Sequence, residues 1–246
     1  MRIAAISDVH GNLPALDAVL DDIADRSVDL VVNLGDLLSG AVQPRETADR
    51  LMELGLPTVR GNHERQLLTF PRERMGAVDR LAHDMISDRH REWMATLPLT
   101  LEPVPGVLAF HGSPSDDLVY LLETVDENGG ARPATEAEVV DRLGTWVNMA
   151  LLLCGHTHLQ RSMRLGTGAL VVNPGSVGWP AFSDDHPYPH VIEAGTPHAR
   201  YAVVDDSSGR WEAEFLALDY GWERAAAMAE ANGQPEVAGA LRTGRM

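Results

Sequence analysis

The chain opens on Ile3-Ala-Ala-Ile6-Ser-Asp8-Val-His10-Gly-Asn12, and Leu13, Leu16, Val19, Leu20 and Ile23 follow at helical spacing. Four consecutive apolar residues read as a short buried strand, and the change to a 3.6-residue period marks the turn into a helix. Asp29–Leu34 is a second apolar run and stops at Gly35-Asp36. Pro44 to Leu54 is periodic again, with Pro44 suited to a first helical turn and Gly55 to a stop. Pro57–Arg60 reads as a third strand, ending in Gly61-Asn62. Strand, helix, strand, helix, strand with short connections predicts a parallel sheet with right-handed crossovers. Polar residues at the carboxyl ends of such strands are where α/β proteins gather their sites.

Further along, residues 64–97 read as mostly helical, and Val107–Phe110 as a strand ending in His111-Gly112. Residues 113–148 hold the acidic stretch Asp126-Glu-Asn-Gly-Gly130 and a helical run from Ala134 to Leu143. Leu151–Cys154 is another strand, followed by Gly155-His156. Alternating patterns at Gln160–Leu165, Ala169–Val172, Tyr201–Asp205 and Trp211–Leu218 predict a second, more antiparallel sheet. The segment 179–198, with four prolines and three histidines, reads as a long loop. Residues 221–246 read as a helix and a loosely attached tail. No repeat or linker divides the chain, so one domain over 1–246 is expected, with helical insertions at 64–97 and 113–148.

Composition narrows the class. Hydrophobic residues are 44% and charged residues 23%, as in ordinary globular proteins. No apolar run approaches the roughly 18 residues of a membrane span, and the first residues lack a signal-peptide pattern, so a cytoplasmic protein without a membrane partner is expected. The net charge of −16 disfavours a partner such as extended duplex nucleic acid. All 20 basic residues are arginine. Cys154 is the one cysteine, which excludes an internal disulfide and a thiolate cluster; its apolar surroundings mark a small buried strand residue.

Five polar clusters each follow a strand-like run and each carries a good metal ligand: Asp8-Val-His10, Gly35-Asp36, Gly61-Asn62-His63-Glu64, His111-Gly112 and Gly155-His156-Thr-His158. Singly, each is an ordinary turn or cap; together they supply a balanced donor set. Mixed oxygen and imidazole donors suit two divalent transition-metal ions (Mn, Fe, Zn, Ni or Co, with Mn favoured for activity) better than Mg or Ca. A phosphate ester is anionic and repels hydroxide. Two cations about 3.5–4 Å apart hold a bridging hydroxide and neutralise the phosphate oxygens.

The series Asp-x-His, Gly-Asp, Gly-Asn-His-Glu, His and Gly-His-x-His resembles the calcineurin-like metallophosphoesterase superfamily, and within it the small bacterial and archaeal phosphodiesterase branch. Asn173-Pro-Gly-Ser-Val-Gly178 looks like a further segment of that branch. The resemblance and the sheet patterns imply a four-layer α/β/β/α sandwich of two mixed sheets flanked by helices, with a dinuclear site at the carboxyl ends of the strands. It implies that Asp8, His10, Asp36 and His158 surround one cation, and that Asp36, Asn62, His111 and His156 surround the other, Asp36 bridging. His63 looks like the histidine that assists the leaving group. Asn12, Gly175 and Ser176 are expected to touch substrate. By analogy with small relatives, a homodimer is expected.

In much of the superfamily Gly-Asp continues to a second acidic residue and an arginine, whereas here the chain reads Gly35-Asp-Leu-Leu-Ser-Gly40. The partner that orients His63 is therefore not identified from sequence. The expected function is hydrolysis of small organic or nucleotide phosphoesters, foremost phosphodiesters. The alternatives are a nuclease on single-stranded nucleic acid and a non-catalytic scaffold on the same fold, as in the retromer subunit that looks like this family. His83, His90, His186, His190 and His198 match no cluster and are not expected to bind metal. The arginines from Arg60 to Arg91 fit solvated ion pairs.

Overall fold

Strand β1 (Arg2–Ile6) carries the opening apolar run, and α1 (Leu13–Ala24) follows it. Next come β2 (Leu30–Asn33) and α2 (Pro44–Leu54), which Gly55 closes in the left-handed conformation. The computed structural model describes residues 1–127 and 130–246; the centre of the Asp126–Gly130 stretch lies outside them. Three short helices cross the next segment: α3 (Asn62–Thr69), α4 (Ala77–Met85) and α5 (Asp88–Ala95). The chain then forms β3 (Thr100–Val104), β4 (Val107–Phe110), the hairpin of β5 (Glu123–Val125) and β6 (Ala131–Pro133), α6 (Glu136–Leu143) and β7 (Leu151–Leu153). Strands β8 (Gln160–Arg164) and β9 (Leu170–Pro174) precede the hairpin of β10 (Ala181–Asp184) and β11 (His190–Glu193). Strands β12 (Ala199–Asp205) and β13 (Glu212–Leu218) and helices α7 (Trp222–Ala231) and α8 (Pro235–Thr243) complete it.

Two mixed sheets stack face to face, in the orders β13-β12-β1-β2 and β3-β4-β7-β9-β8. The period of two along each strand sorts side chains into layers. On β1, Ile3 and Ala5 face the inter-sheet core, while Ala4 and Ile6 face the layer under α1 and α2. On β4 and β7, Val107, Ala109, Leu151 and Leu153 enter the same inter-sheet core. Leu108, Phe110, Leu152 and Cys154 point the other way, under α6. Both faces of both sheets are therefore covered, and the four layers are α/β/β/α. The Cys154 thiol is fully buried and pushed well above its usual pKa by that burial.

Several expectations need correction. Pro57–Arg60 is not a strand: Thr58 makes one bridge to Asn33, and the Arg60 N–H turns away to the Pro98 carbonyl. The late alternating segments do not form one antiparallel sheet. Strands β12 and β13 join β1 antiparallel in the first sheet, whereas β8 and β9 join the second, whose centre β4-β7-β9 is parallel. Alternation reports which face is buried and not which neighbour a strand takes. The segment 113–148 holds the β5–β6 hairpin before its helix, and 179–198 holds the β10–β11 hairpin where a loop was expected. The C-terminal segment is firmly attached. Ala225, Ala226 and Ala229 of α7 and Val237, Ala238 and Leu241 of α8 are buried with Ala41 and Val42. Among the described residues no helix is long and apolar enough to cross a membrane.

Candidate metal centre

The carboxyl ends of β1, β2, β4 and β7 meet at one edge of the sandwich. Asp8 N–H donates to the Gly35 carbonyl and His10 N–H to the Asp36 carbonyl, both at 3.0 Å, while Gly155 N–H donates to the His111 carbonyl at 2.7 Å. These crossings draw four of the five clusters into two buried triads. Asp8, His10 and His158 offer ligand atoms within 4.8 Å of one another, and so do Asp36, His111 and His156. The triads adjoin: Nε2 of His111 lies 3.0 Å from Asp36 Oδ2 and 4.0 Å from Asp8 Oδ1. Asn62 Oδ1 is 3.1 Å from the same nitrogen.

The donor chemistry fits cations. A carbonyl only accepts, so the Nδ1 atoms of His10, His111 and His158, at 2.6, 2.8 and 2.6 Å from the Ser39, Leu34 and Trp179 carbonyls, carry their protons there. In the neutral rings each Nε2 is then a bare lone pair. Those of His10 and His158 face each other at 3.0 Å, where neither can donate. Asp8 Oδ1 beside them is buried and has no hydrogen-bond partner. Lone pairs and an orphaned carboxylate oxygen crowded together repel unless a cation lies among them. His156 is held the other way, with Nε2 3.2 Å from the Leu118 carbonyl, which leaves Nδ1 for the site. Burial, reinforced by the neighbouring imidazoles, pushes His10 down to about 3 and His156 down to about 4, so both present lone pairs at neutral pH. Burial also opposes a charged His111, but Asp36 outweighs it and raises that ring to about 9. A cation would take the place of that proton.

The backbone is strained where the ligands sit. Asp8, His10, Asp36, His156 and His158 have φ of 56°, 48°, 55°, 70° and 58°, and Ser27 is the one other non-glycine residue with positive φ among those described. Such conformations cost of order 1–3 kcal/mol each and persist where surrounding structure enforces them. At Asp36 the enforcement comes from Glu64. Its fully buried carboxylate accepts from the N–H groups of Asp36, Leu37 and Gly61 at 2.9, 2.8 and 2.8 Å, binding two ligand loops together. Burial, then Asp36, raises Glu64 to about 6. Gly61 leaves no room for a side chain, since a Cβ there would stand 2.1 Å from Asp36 Oδ1. Gly61→Ala is expected to cost about 1–3 kcal/mol by overpacking and to weaken cation binding, read by thermal melts with and without Mn²⁺.

His63 stands apart from the donor set and borders the same cavity of about 380 Å³ as His10, Asp36 and Trp179. Its N–H donates to Asp36 Oδ1 at 3.0 Å, and its Nδ1 is 2.7 Å from Asp79 Oδ1 on α4. Burial opposes the charged ring, but Asp79 and then Asp36 outweigh it and lift His63 to about 10. Asp79 is thus the orienting partner that the Gly35–Gly40 segment does not supply. Its sequence context, Gly76-Ala-Val-Asp79, carries no mark of this.

Asn12, Gly175 and Ser176 lie behind the ligands and not on the cavity. Asn12 caps α1 through Ala15 N–H, and its amide donates to the Gly178 carbonyl and to Tyr220 Oη. Ser176 Oγ donates to the Asp8 carbonyl at 2.8 Å, and Asn173 donates to the Gly155 carbonyl at 2.7 Å. The Asn173–Gly178 segment therefore braces both strained loops. Trp179 meets His10 edge to face at 5.0 Å between ring centroids. His83, His90, His186, His190 and His198 belong to neither triad. Of the arginines from Arg60 to Arg91, three pair as ions: Arg65 holds Asp117 with two bonds at 2.8 and 2.7 Å, Arg72 holds Asp84, and Arg91 lies 3.7 Å from Asp88. Arg80 instead donates to the Met75 carbonyl.

A two-sheet α/β sandwich with paired acidic and histidine triads at its strand ends defines a metallophosphoesterase. Residues 1–193 match the model of the calcineurin-like phosphoesterase superfamily domain, and the chain belongs to that family of phosphoester hydrolases. It is 26% identical over 259 residues to the uncharacterized protein MJ0912 of Methanocaldococcus jannaschii, covering 96% of this chain and 95% of that one. Its fold is similar to that of a metallophosphoesterase from Sphaerobacter thermophilus, with TM-score 0.73, 24% identity and 98% of each chain covered. It is similar also to the hypothetical protein PH1004 of Pyrococcus horikoshii, with TM-score 0.76, 18% identity and coverage of 99% and 98%.

Proposed function

We propose that the protein is a dinuclear metal-dependent phosphodiesterase acting on small organic or nucleotide phosphoesters, with His63 assisting the leaving group. The observation that carries this reading is the pairing of two buried triads with a histidine held outside them by its own carboxylate. Two divalent transition-metal ions, Mn foremost, would place positive charge against the phosphate oxygens and lower the pKa of water to about 7. Asp8, His10 and His158 would hold one ion, Asp36, Asn62, His111 and His156 the other, with Asp36 shared. The carbonyls of Ser39, Leu34, Trp179 and Leu118 keep the four rings oriented. His63 presents the ring edge opposite Asp79 to the cavity, where its proton can pass to a departing oxygen. Asp79 keeps that proton on the ring and the ring in place.

Purified protein supplied with Mn²⁺ is expected to hydrolyse bis(p-nitrophenyl) phosphate, to lose turnover on chelation and to regain it on reloading. Protein that takes up two ions and leaves both phosphodiesters and phosphomonoesters intact would refute the enzyme reading and favour a scaffold.

A further inference from the structure

Beside the metal cavity lies a second one of about 580 Å³, within the size range of sites for organic ligands. The two are continuous in their walls, because Gln66, Leu118, His156 and Asp184 border both. Three segments converge on the second cavity: the end of α3, the stretch 118–125 running into β5, and the turn between β10 and β11. Its apolar wall is Phe70, Leu118, Val119, Tyr120, Val125 and Pro187. Tyr120 is fixed there, its Oη 3.0 Å from His190 Nε2 and its ring edge to face with His156 at 4.9 Å.

The arginine that reaches this lobe already has its partners. Arg142 reaches the wall, but its guanidinium donates to the carbonyls of Tyr120, Leu121 and Glu123 and to Thr124 Oγ1 at 2.6–3.0 Å. Glu123 is buried and pairs with Arg161 at 2.6 Å. Asp184 accepts the N–H of His186 at 2.9 Å. Arg65 belongs to Asp117, and Arg74 lies over the Phe70 ring at 5.7 Å without lining the lobe. Arg142 is the one guanidinium among the described lining residues and is taken up by carbonyls, so a second phosphate would find no free arginine there and would face Asp184. A flat uncharged ring would instead meet the Phe70 and Tyr120 rings and an aliphatic floor.

The geometry points to an aromatic substrate group, aryl or nucleobase, seated in this lobe, in esters that carry no second phosphate beyond the one at the metal centre. This rests on the phosphoesterase reading for the position of the reacting phosphate and adds to it the class of ester. Gln66 and His186 are the polar groups at hand to orient the ring.

Calorimetry on the Mn²⁺-loaded protein with phosphonates, which are not hydrolysed, tests the lobe without relying on turnover. Phenylphosphonate is expected to bind at least tenfold more tightly than methylphosphonate. A nucleoside 5′-phosphonate in a parallel arm distinguishes a base from a simple aryl ring by whichever binds tighter. Phe70→Ala and Val125→Asp are each expected to remove most of the phenyl preference and leave methylphosphonate binding unchanged, so one variant suffices if the other fails to fold. Equal affinity for phenyl- and methylphosphonate, or tighter binding of pyrophosphate than of phenylphosphonate, would overturn the assignment. Turnover of methyl p-nitrophenyl phosphate is followed separately. Turnover with no phenyl preference in binding sinks the lobe alone, whereas no turnover with the preference intact sinks the hydrolase reading and leaves an aromatic phosphonate site.

Discussion

Asp36→Asn is expected to lower kcat/KM on bis(p-nitrophenyl) phosphate by about a thousandfold, equivalent to about 4 kcal/mol of transition-state stabilisation. The two carboxylate oxygens are divided between different duties. One accepts the His63 N–H at 3.0 Å, and the other faces His111 Nε2 at 3.0 Å. An asparagine can keep the first bond, but its amide nitrogen then points at His111 and the shared negative charge is gone. The fold should survive. In the metal-free variant His111 becomes neutral, keeps its Leu34 bond and accepts from the new amide, and Asn62, whose Oδ1 faces the same nitrogen, borders the cavity and can turn its amide to solvent. The metal-free melting temperature is therefore expected to match the wild type. The rise on adding Mn²⁺, worth about 2.7 kcal/mol at a hundredfold excess over Kd, should shrink or vanish. Bound metal measured by elemental analysis should fall below two ions per chain. A variant that keeps both ions and full activity would remove Asp36 from the centre.

The contrast between what the sequence disclosed and what it hid has a physical basis. Each ligand but Asn62 follows a strand end, so an apolar run followed by a polar cluster could be read directly, and five such clusters reinforced one another. The period of two told which β1 and β4 side chains are buried, but not that β12 would lie beside β1. Partner choice is set by packing across some 200 residues of chain separation, as in Ala4 opposite Val203. The left-handed backbone of Asp8, His10, Asp36, His156 and His158 left no sequence trace, because these residues are not glycine and the strain is imposed by surrounding bonds. Glu64 stood in a recognised cluster, yet its three backbone bonds depend on two loops meeting. Both hairpins beside the site were unreadable because proline and aspartate around strands of three or four residues look like loop. Their burial comes from single anchors such as Ile192.

Asp79→Asn separates positioning from binding by its dependence on the leaving group. Hydrolysis of an alkyl phosphoester, whose alkoxide leaves poorly, is expected to fall about a hundredfold, near the lower end of what general acid assistance contributes. A p-nitrophenyl ester with the same second substituent needs no proton and is expected to lose less than threefold. The reason lies in the 2.7 Å contact from Asp79 to His63 Nδ1, which holds the ring and its charge. With Asp79 intact, His63 is raised to about 10, so the acid form is present through neutral pH and is lost only as pH climbs through that value. Bound cations cancel the share due to Asp36 but not the share due to Asp79. In the variant the imidazole should lose its proton from about pH 6.5 upward or below, so the alkyl ester rate falls as pH rises through neutrality while the p-nitrophenyl rate does not. His63→Ala should reproduce the same selective loss, and the double variant should be no worse than either single one, because the two side chains act as a unit. Equal losses on both esters would mean that Asp79 only supports the loop carrying Asn62. Additive losses would mean that Asp79 acts on something other than His63.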